Sequence, residues 1–114
     1  MKLTLLWNPY STNNIYARNW RRGYIKPKPK EQKESYILQA NIQKTGFFQW
    51  AVGVNVELYF WDKRKRDIDN YNKLWMDALS WVVYEDDKQI KTMHITKNYD
   101  KENPRIEVDI EELI

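Results

Sequence analysis

Asp67, Asp69, Asp77, Asp86 and Asp87, with Lys73 among them, fall in one short stretch directly after the basic run Lys63-Arg64-Lys65-Arg66. Ionised carboxylates are acceptor-only ligands that suit hard divalent cations such as Mg²⁺, and the adjacent bases suit phosphate. Phosphodiester hydrolysis requires a site that holds both. A helix starting near Asp69 would set Asp69, Lys73 and Asp77 at i, i+4 and i+8 on one face. Asp67 sits where the preceding strand feeds that helix. Asp87 heads the next strand and closes the cluster if that strand lies beside the long one. Asp67, Asp69 and Asp87 would then hold a Mg²⁺ ion that keeps several waters, and Lys73 would stabilise charge on the phosphoryl or leaving oxygen. Each residue also has a plainer use. Asp69 alone is a good helix cap, the Asp69–Lys73–Asp77 row reads equally as a solvated salt-bridge face, and Asp86-Asp87 reads as a turn. Short motifs match by chance often, so the conjunction carries the reading.

The elements that must position these groups follow from periodicity. Lys2 to Trp7 reads as a strand with Leu3 and Leu5 on one face, and residues 8–14 read as loop from their Pro, Ser and Asn content. Tyr16 to Lys30 reads as basic loop, with Pro27 and Pro29 excluding a helix there. A helix is predicted from Lys30 or Glu31 to about Lys44, with Tyr36, Ile37, Ala40 and Asn41 on one face and Gly46 just past its end. Trp50 to Trp61 is the clearest strand, with Val52, Val54, Val56, Leu58 and Phe60 alternating with Gly53, Asn55, Glu57 and Tyr59. A second helix is predicted from Asp69 to about Val82, then strands over residues 89–97 and 105–110. The order is β–loop–α–β–α–β–β. The expected fold class is α+β, with a mixed sheet packed against helices in a single domain spanning residues 1–114.

The 114 residues suffice for one sizeable core, and 42% hydrophobic with 31% charged residues is the balance of an ordinary globular chain. With no cysteine there is no disulfide framework, thiolate nucleophile or cysteine-based zinc site, and the single His94 excludes a histidine-rich centre. General acids and bases are therefore Asp, Glu, Lys, Tyr or a metal-bound water. No apolar run approaches the roughly 18–20 residues that span a bilayer, and the first residues lack a signal-peptide pattern. A cytoplasmic location, in a bacterial cytosol or a phage-infected cell, is the expectation.

The net charge of +3 hides an asymmetry. Residues 1–50 carry nine Lys/Arg against two Asp/Glu, net +7, whereas residues 51–114 carry ten against fourteen, net −4. The first half is thus suited to a polyanion, while the second concentrates carboxylates, although charge alone reads equally as lysines kept for solubility. Trp20-Arg21-Arg22-Gly23-Tyr24-Ile25-Lys26-Pro27-Lys28 interleaves bases with aromatics. Arg21, Arg22, Lys26 and Lys28 are the candidate phosphate contacts, continued by Lys63, Arg64, Lys65 and Arg66 at the rim of the acidic site. Of the six tryptophans, Trp50, Trp61, Trp75 and Trp81 are expected in the core or at a subunit interface.

At these residues a family resemblance emerges. The run Lys-Arg-Lys-Arg-Asp-Ile-Asp-Asn-Tyr-Asn-Lys-Leu-Trp-Met-Asp-Ala-Leu, then Tyr-Glu-Asp-Asp-Lys-Gln-Ile, resembles the signature of the RusA family of Holliday junction resolvases. The opening Trp7-Asn8-Pro9-Tyr10-Ser11-Thr12-Asn13-Asn14-Ile15-Tyr16 resembles the family's first segment more loosely. The resemblance implies a homodimeric, Mg²⁺-dependent endonuclease that cuts four-way DNA junctions by paired, symmetric nicks. It places the catalytic acids on Asp67, Asp69 and Asp87 and the essential lysine on Lys73, with Asn70 and Asp86 at adjoining motif positions. This chain departs from the pattern between helix and Asp pair, where Ser80-Trp81-Val82-Val83-Tyr84 replaces an expected Gly-containing turn. Rivals of other classes are a non-catalytic binding module for branched or single-stranded DNA and a Mg²⁺-stabilised assembly protein.

Overall fold

Alternation in the long central segment decides the architecture. In the computed structural model, which describes residues 1–6, 16–18, 23–25 and 27–113, that segment is β4, Val52–Phe60. Val52, Val54, Val56, Leu58 and Phe60 are buried on one face, and Asn55 and Glu57 are exposed on the other. Before it come β1 (Lys2–Leu6), a short antiparallel pair β2 (Tyr16–Arg18) and β3 (Gly23–Ile25), and helix α1 (Pro27–Gln43); after it come α2 (Lys73–Leu79), β5 (Ile90–Tyr99) and β6 (Arg105–Glu112). The main sheet has the order β1-β6-β4-β5. β6 pairs antiparallel with both β1 and β4, while β5 runs parallel to β4, so the sheet is mixed.

The apolar face of this sheet meets the two helices in one core. Leu3 and Leu5 of β1, the β4 row, and Ile106, Val108 and Ile110 of β6 pack with Tyr36, Ala40, Leu74, Trp75, Ala78 and Leu79. Trp75 is fully buried and its indole N–H donates to Asn72 Oδ1 at 3.1 Å, so its polar edge is satisfied. Truncating it to alanine would cost about 3–5 kcal/mol. The opposite face is open and polar, with a shallow depression of about 460 Å³ lined by Asn55, Glu57, His94, Thr96, Glu107 and Asp109 among others. Gly53 lies where β4 and β5 shift register, and a Cβ there would stand 2.6 Å from Thr92 Oγ1, so any larger residue would have to displace the Thr92 side chain.

Glutamines of α1 cover the outer edge of β1. Thr4 N–H donates to Gln43 Oε1 (2.8 Å) and Gln43 Nε2 returns a bond to Thr4 O (2.7 Å). Leu6 N–H donates to Gln39 Oε1 (2.7 Å), and Gln32 Nε2 donates to Leu6 O (3.2 Å). Side-chain amides thereby stand in for a neighbouring strand and close an edge that would otherwise pair with another chain.

Several expectations need correction. Pro27 and Pro29 do not exclude a helix: α1 begins at Pro27. The first four N–H groups of a helix have no intrahelical acceptor, so proline's missing donor costs nothing there. The buried stripe of α1 is Pro29, Gln32, Tyr36 and Ala40; Asn41 is exposed and donates to Ile37 O. Residues 16–18 and 23–25 pair as strands rather than loop. The second helix does not run from Asp69 to Val82. A 3-10 turn over Ile68–Tyr71 precedes it, and α2 ends at Leu79. Val82 is buried as the pattern required, but in a turn, where its N–H donates to Leu79 O. Of the four tryptophans assigned to core or interface, Trp75 lies in the core, whereas Trp50, Trp61 and Trp81 have exposed side chains in the single chain.

Candidate active site

Two short devices set the acid-bearing corner. The first is the break before α2. Asn72, at φ −105° and ψ −22°, donates to Ile68 O and accepts from the Trp75 indole, which fixes the start of the helix at Lys73. Asp69 therefore caps nothing, and it lies in the 3-10 turn rather than one helical turn before Lys73. Asp67 occupies the cap position of that turn but makes no side-chain cap bond, so neither carboxylate is assigned to capping α2. The Lys73–Asp77 part of the predicted row survives, with Nζ 3.2 Å from Oδ1.

The second device is the turn Asp87–Gln89, which separates the functions of the Asp pair. Asp86 caps it: Lys88 N–H donates to Asp86 Oδ1 at 2.8 Å, and Gln89 Oε1 accepts from the Glu85 and Asp86 N–H groups. The Lys88 N–H holds the Asp86 carboxyl below the usual carboxylate range. Asp87 is left over. Burial, then the hydrogen bond and charge of Asp86, then the charge of Asp77, push its carboxyl up, with Lys73 opposing. Crowded acids with one ammonium form an environment where a cation is favourable. The Tyr84 phenol, buried behind this corner and donating to Met76 O at 2.9 Å, is pushed far up by burial and by the same acids.

The fold brings together Asp77, Asp86, Asp87 and Lys73. The parallel β4–β5 pairing sets Asp87 by the beginning of β4, since Ile90 pairs with Val52. Asp67, Asp69 and Asn70 follow the end of β4, and α2 comes back from there with Asp77 on it. The charges acting on Asp87 accordingly include Asp77 rather than Asp67 or Asp69. Among the described residues, no three acidic or imidazole side chains converge closely enough to chelate a metal. The donor chemistry still suits Mg²⁺, which is commonly held by one or two carboxylates plus substrate phosphate rather than by an all-protein cage.

Bases are distributed differently from the sequence reading. Arg66, expected at the DNA rim, is turned inward: its guanidinium lies over the Phe60 and Trp61 rings (4.5 and 4.6 Å) and pairs with Asp62 at 2.7 Å. Lys63, Arg64 and Lys65 are exposed. Lys63 and Arg64 line a cavity of about 240 Å³ with Lys97, a base that the sequence reading missed and only the alternation along β5 would have suggested. Lys28 is exposed on the first turn of α1; Arg21, Arg22 and Lys26 lie outside the described residues. Asp77 entered the sequence reading as part of the helical row but not as a site residue; its spacing from Lys73 was the signal.

Between the acids stands an unusual backbone. Trp81 has φ 68°, the left-handed region, which costs a bulky residue roughly 1–2 kcal/mol and is normally left to glycine.

With this geometry in place, comparison with known proteins gives a direct answer. The family model for endodeoxyribonuclease RusA matches residues 7–111, and the chain belongs to that family. It is 28% identical to the crossover junction endodeoxyribonuclease RusA of Enterobacteria phage 82, over 97% of this chain and 93% of that one. Identity and coverage are the same for the crossover junction endodeoxyribonuclease RusA of Shigella sonnei. A stretch of 49 residues is 45% identical to the uncharacterized protein YqaN of Bacillus subtilis, covering 43% of this chain and 34% of that one.

Proposed function

We propose that this protein is a Mg²⁺-dependent endodeoxyribonuclease that resolves four-way DNA junctions by paired, symmetric nicks. One observation carries the reading: the family match spans nearly the whole chain and includes the acid–lysine motif, whose Asp87 the fold crowds with other acids. Asp87, with Asp77 beside it, is the carboxylate this corner offers the ion; Asp67 and Asp69 enter as ligands only by the family resemblance, since the single chain sets them beyond the end of β4, and Lys73 is the group that meets charge on the phosphoryl oxygens. The ion would supply orientation of the scissile phosphate and an acidified water. Asn70 and Asp86 support the site, Asp86 by holding the turn that presents Asp87. Lys63, Arg64 and Lys65, with Arg21, Arg22, Lys26 and Lys28, form the proposed phosphate track. Paired nicks need two such sites, so the acting species is a homodimer. No helix among the described residues is long and apolar enough to cross a membrane, which accords with a DNA substrate.

The lack of a three-acid cluster among the described residues favours one rival, a module that binds branched DNA without cutting it. Incubation with a synthetic four-way junction, a flap and a linear duplex, in Mg²⁺ and in EDTA, separates the two. Junction cleavage in Mg²⁺ that EDTA abolishes supports the nuclease; tight junction binding with no cleavage under either condition supports the module.

A further inference from the structure

We propose that Trp81 stacks on a nucleobase exposed at the branch point of the DNA, setting the junction against the acidic corner. The inference rests on the reading of the protein as a binder of branched DNA and adds a specificity residue to it. Three observations on the same side chain converge. Trp81 holds a left-handed backbone, which glycine adopts freely and a large aromatic residue does not. The residue is 74% exposed, so core packing does not offset that strain. Its turn joins Asp77 of α2 to the Asp86–Asp87 cap, closed by the Trp81 N–H to Tyr84 O bond and the Ser80–Tyr84 bridge.

The neighbouring loop supplies the rest of a nucleic-acid surface. Phe48 N–H donates to Val83 O, which ties residues 44–50 to the turn, and Lys44 Nζ reaches Val82 O at 3.4 Å. Trp50, also largely exposed, is held to the acidic cap by Gln89 Nε2, which donates to its carbonyl at 2.9 Å. Two exposed tryptophans and a lysine thus lie on the segments tied to the turns that carry Asp86 and Asp87. Rings accept any base on their face and need a base face left unstacked, which an open branch point offers and a continuous duplex does not. The lysine ammonium suits the accompanying phosphate.

The test compares wild type, W81F, W81A and W81G for binding in EDTA to a four-way junction carrying 2-aminopurine at the branch point, and to a linear duplex. W81A should weaken junction binding on the order of ten-fold while leaving duplex binding nearly unchanged, and W81F should retain most of the affinity. The 2-aminopurine response of the wild type should disappear in W81A. W81G should bind as poorly as W81A yet melt at the same temperature or higher, because glycine removes the strain. Equal junction affinity for W81A and wild type would overturn the proposal, as would equal losses on junction and duplex. A drop of W81A to a smaller sedimenting species would overturn it in favour of a contact between two copies. A wild type that binds no junction would instead remove the functional reading beneath it.

Discussion

Asp62 and Asp87 lie by opposite ends of the β4–β5 pair, and the same side chain is treated in opposite ways. Beyond the far end of β4, Arg66 donates to Asp62 and the Arg64 N–H adds a second bond, which holds that carboxyl below the usual range. By the beginning of β4, Asp87 is partly buried among Asp86 and Asp77 and its carboxyl is pushed up. One acid is neutralised by its own chain and helps to fix a loop. The other is left with an excess of negative charge that a cation or a proton must meet. The difference teaches where structure ends and chemistry begins: a carboxylate paired with a base stabilises the fold, whereas one crowded by other acids is poised for a cation.

Single substitutions can break this contrast. Asp87→Asn should lower junction cleavage by on the order of a thousand-fold, whereas Asp62→Asn should leave turnover nearly intact. Single-turnover rates with a labelled junction measure both. Asp87→Asn should also raise thermal stability at neutral pH. A carboxyl whose folded pKa is raised loses folding free energy as pH climbs from its unfolded value through the folded one, and the amide escapes that loss. Lys73→Ala should slow turnover by roughly a hundred-fold with little change in junction affinity, as measured by comparing rates with equilibrium binding.

At the other end, Arg66→Ala should cost about 1–2 kcal/mol in urea unfolding through lost ring contacts and stem packing. The acid dependence should change with it. The lowered carboxyl of Asp62 contributes stability that is present above its unfolded pKa and fades as pH falls through the folded one, so the variant should lose that part of its acid sensitivity. The smallest effect is the most specific. Because the charge of Asp77 helps to raise Asp87, Asp77→Asn should move the acid limb of the cleavage pH profile to lower pH. An unmoved limb would separate the two acids.

Much of the fold was legible because alternation reports burial directly. The rows Leu3/Leu5, Val52 to Phe60 and Ile106/Val108/Ile110 mark one sheet face, and they line the core. The helix boundaries were less legible. Pro27 looked like a breaker because its position relative to the helix start was unknown. Val82 looked helical because a buried turn residue and a buried helix residue have the same spacing. Asp69 looked like a cap because nothing local shows that Asn72 and Trp75 will bond each other and delay the helix. Trp50, Trp61 and Trp81 looked structural because composition cannot tell a ring in the core from a ring in solvent.

By itself the sequence determined the α+β composition, the buried rows, the basic–acidic asymmetry and the motif that places the chain among the RusA endodeoxyribonucleases, since these depend only on residue type and short spacing. Only the tertiary structure decided which charges meet. Running β5 parallel to β4 sends Asp87 towards Asp77 and Lys73 and sets Asp67 and Asp69 beyond the end of β4. Folding Arg66 onto Phe60 and Trp61 takes a base from the proposed phosphate track. Electrostatic partnership acts through space over a few ångströms, and strand direction, which short-range spacing does not encode, sets those distances.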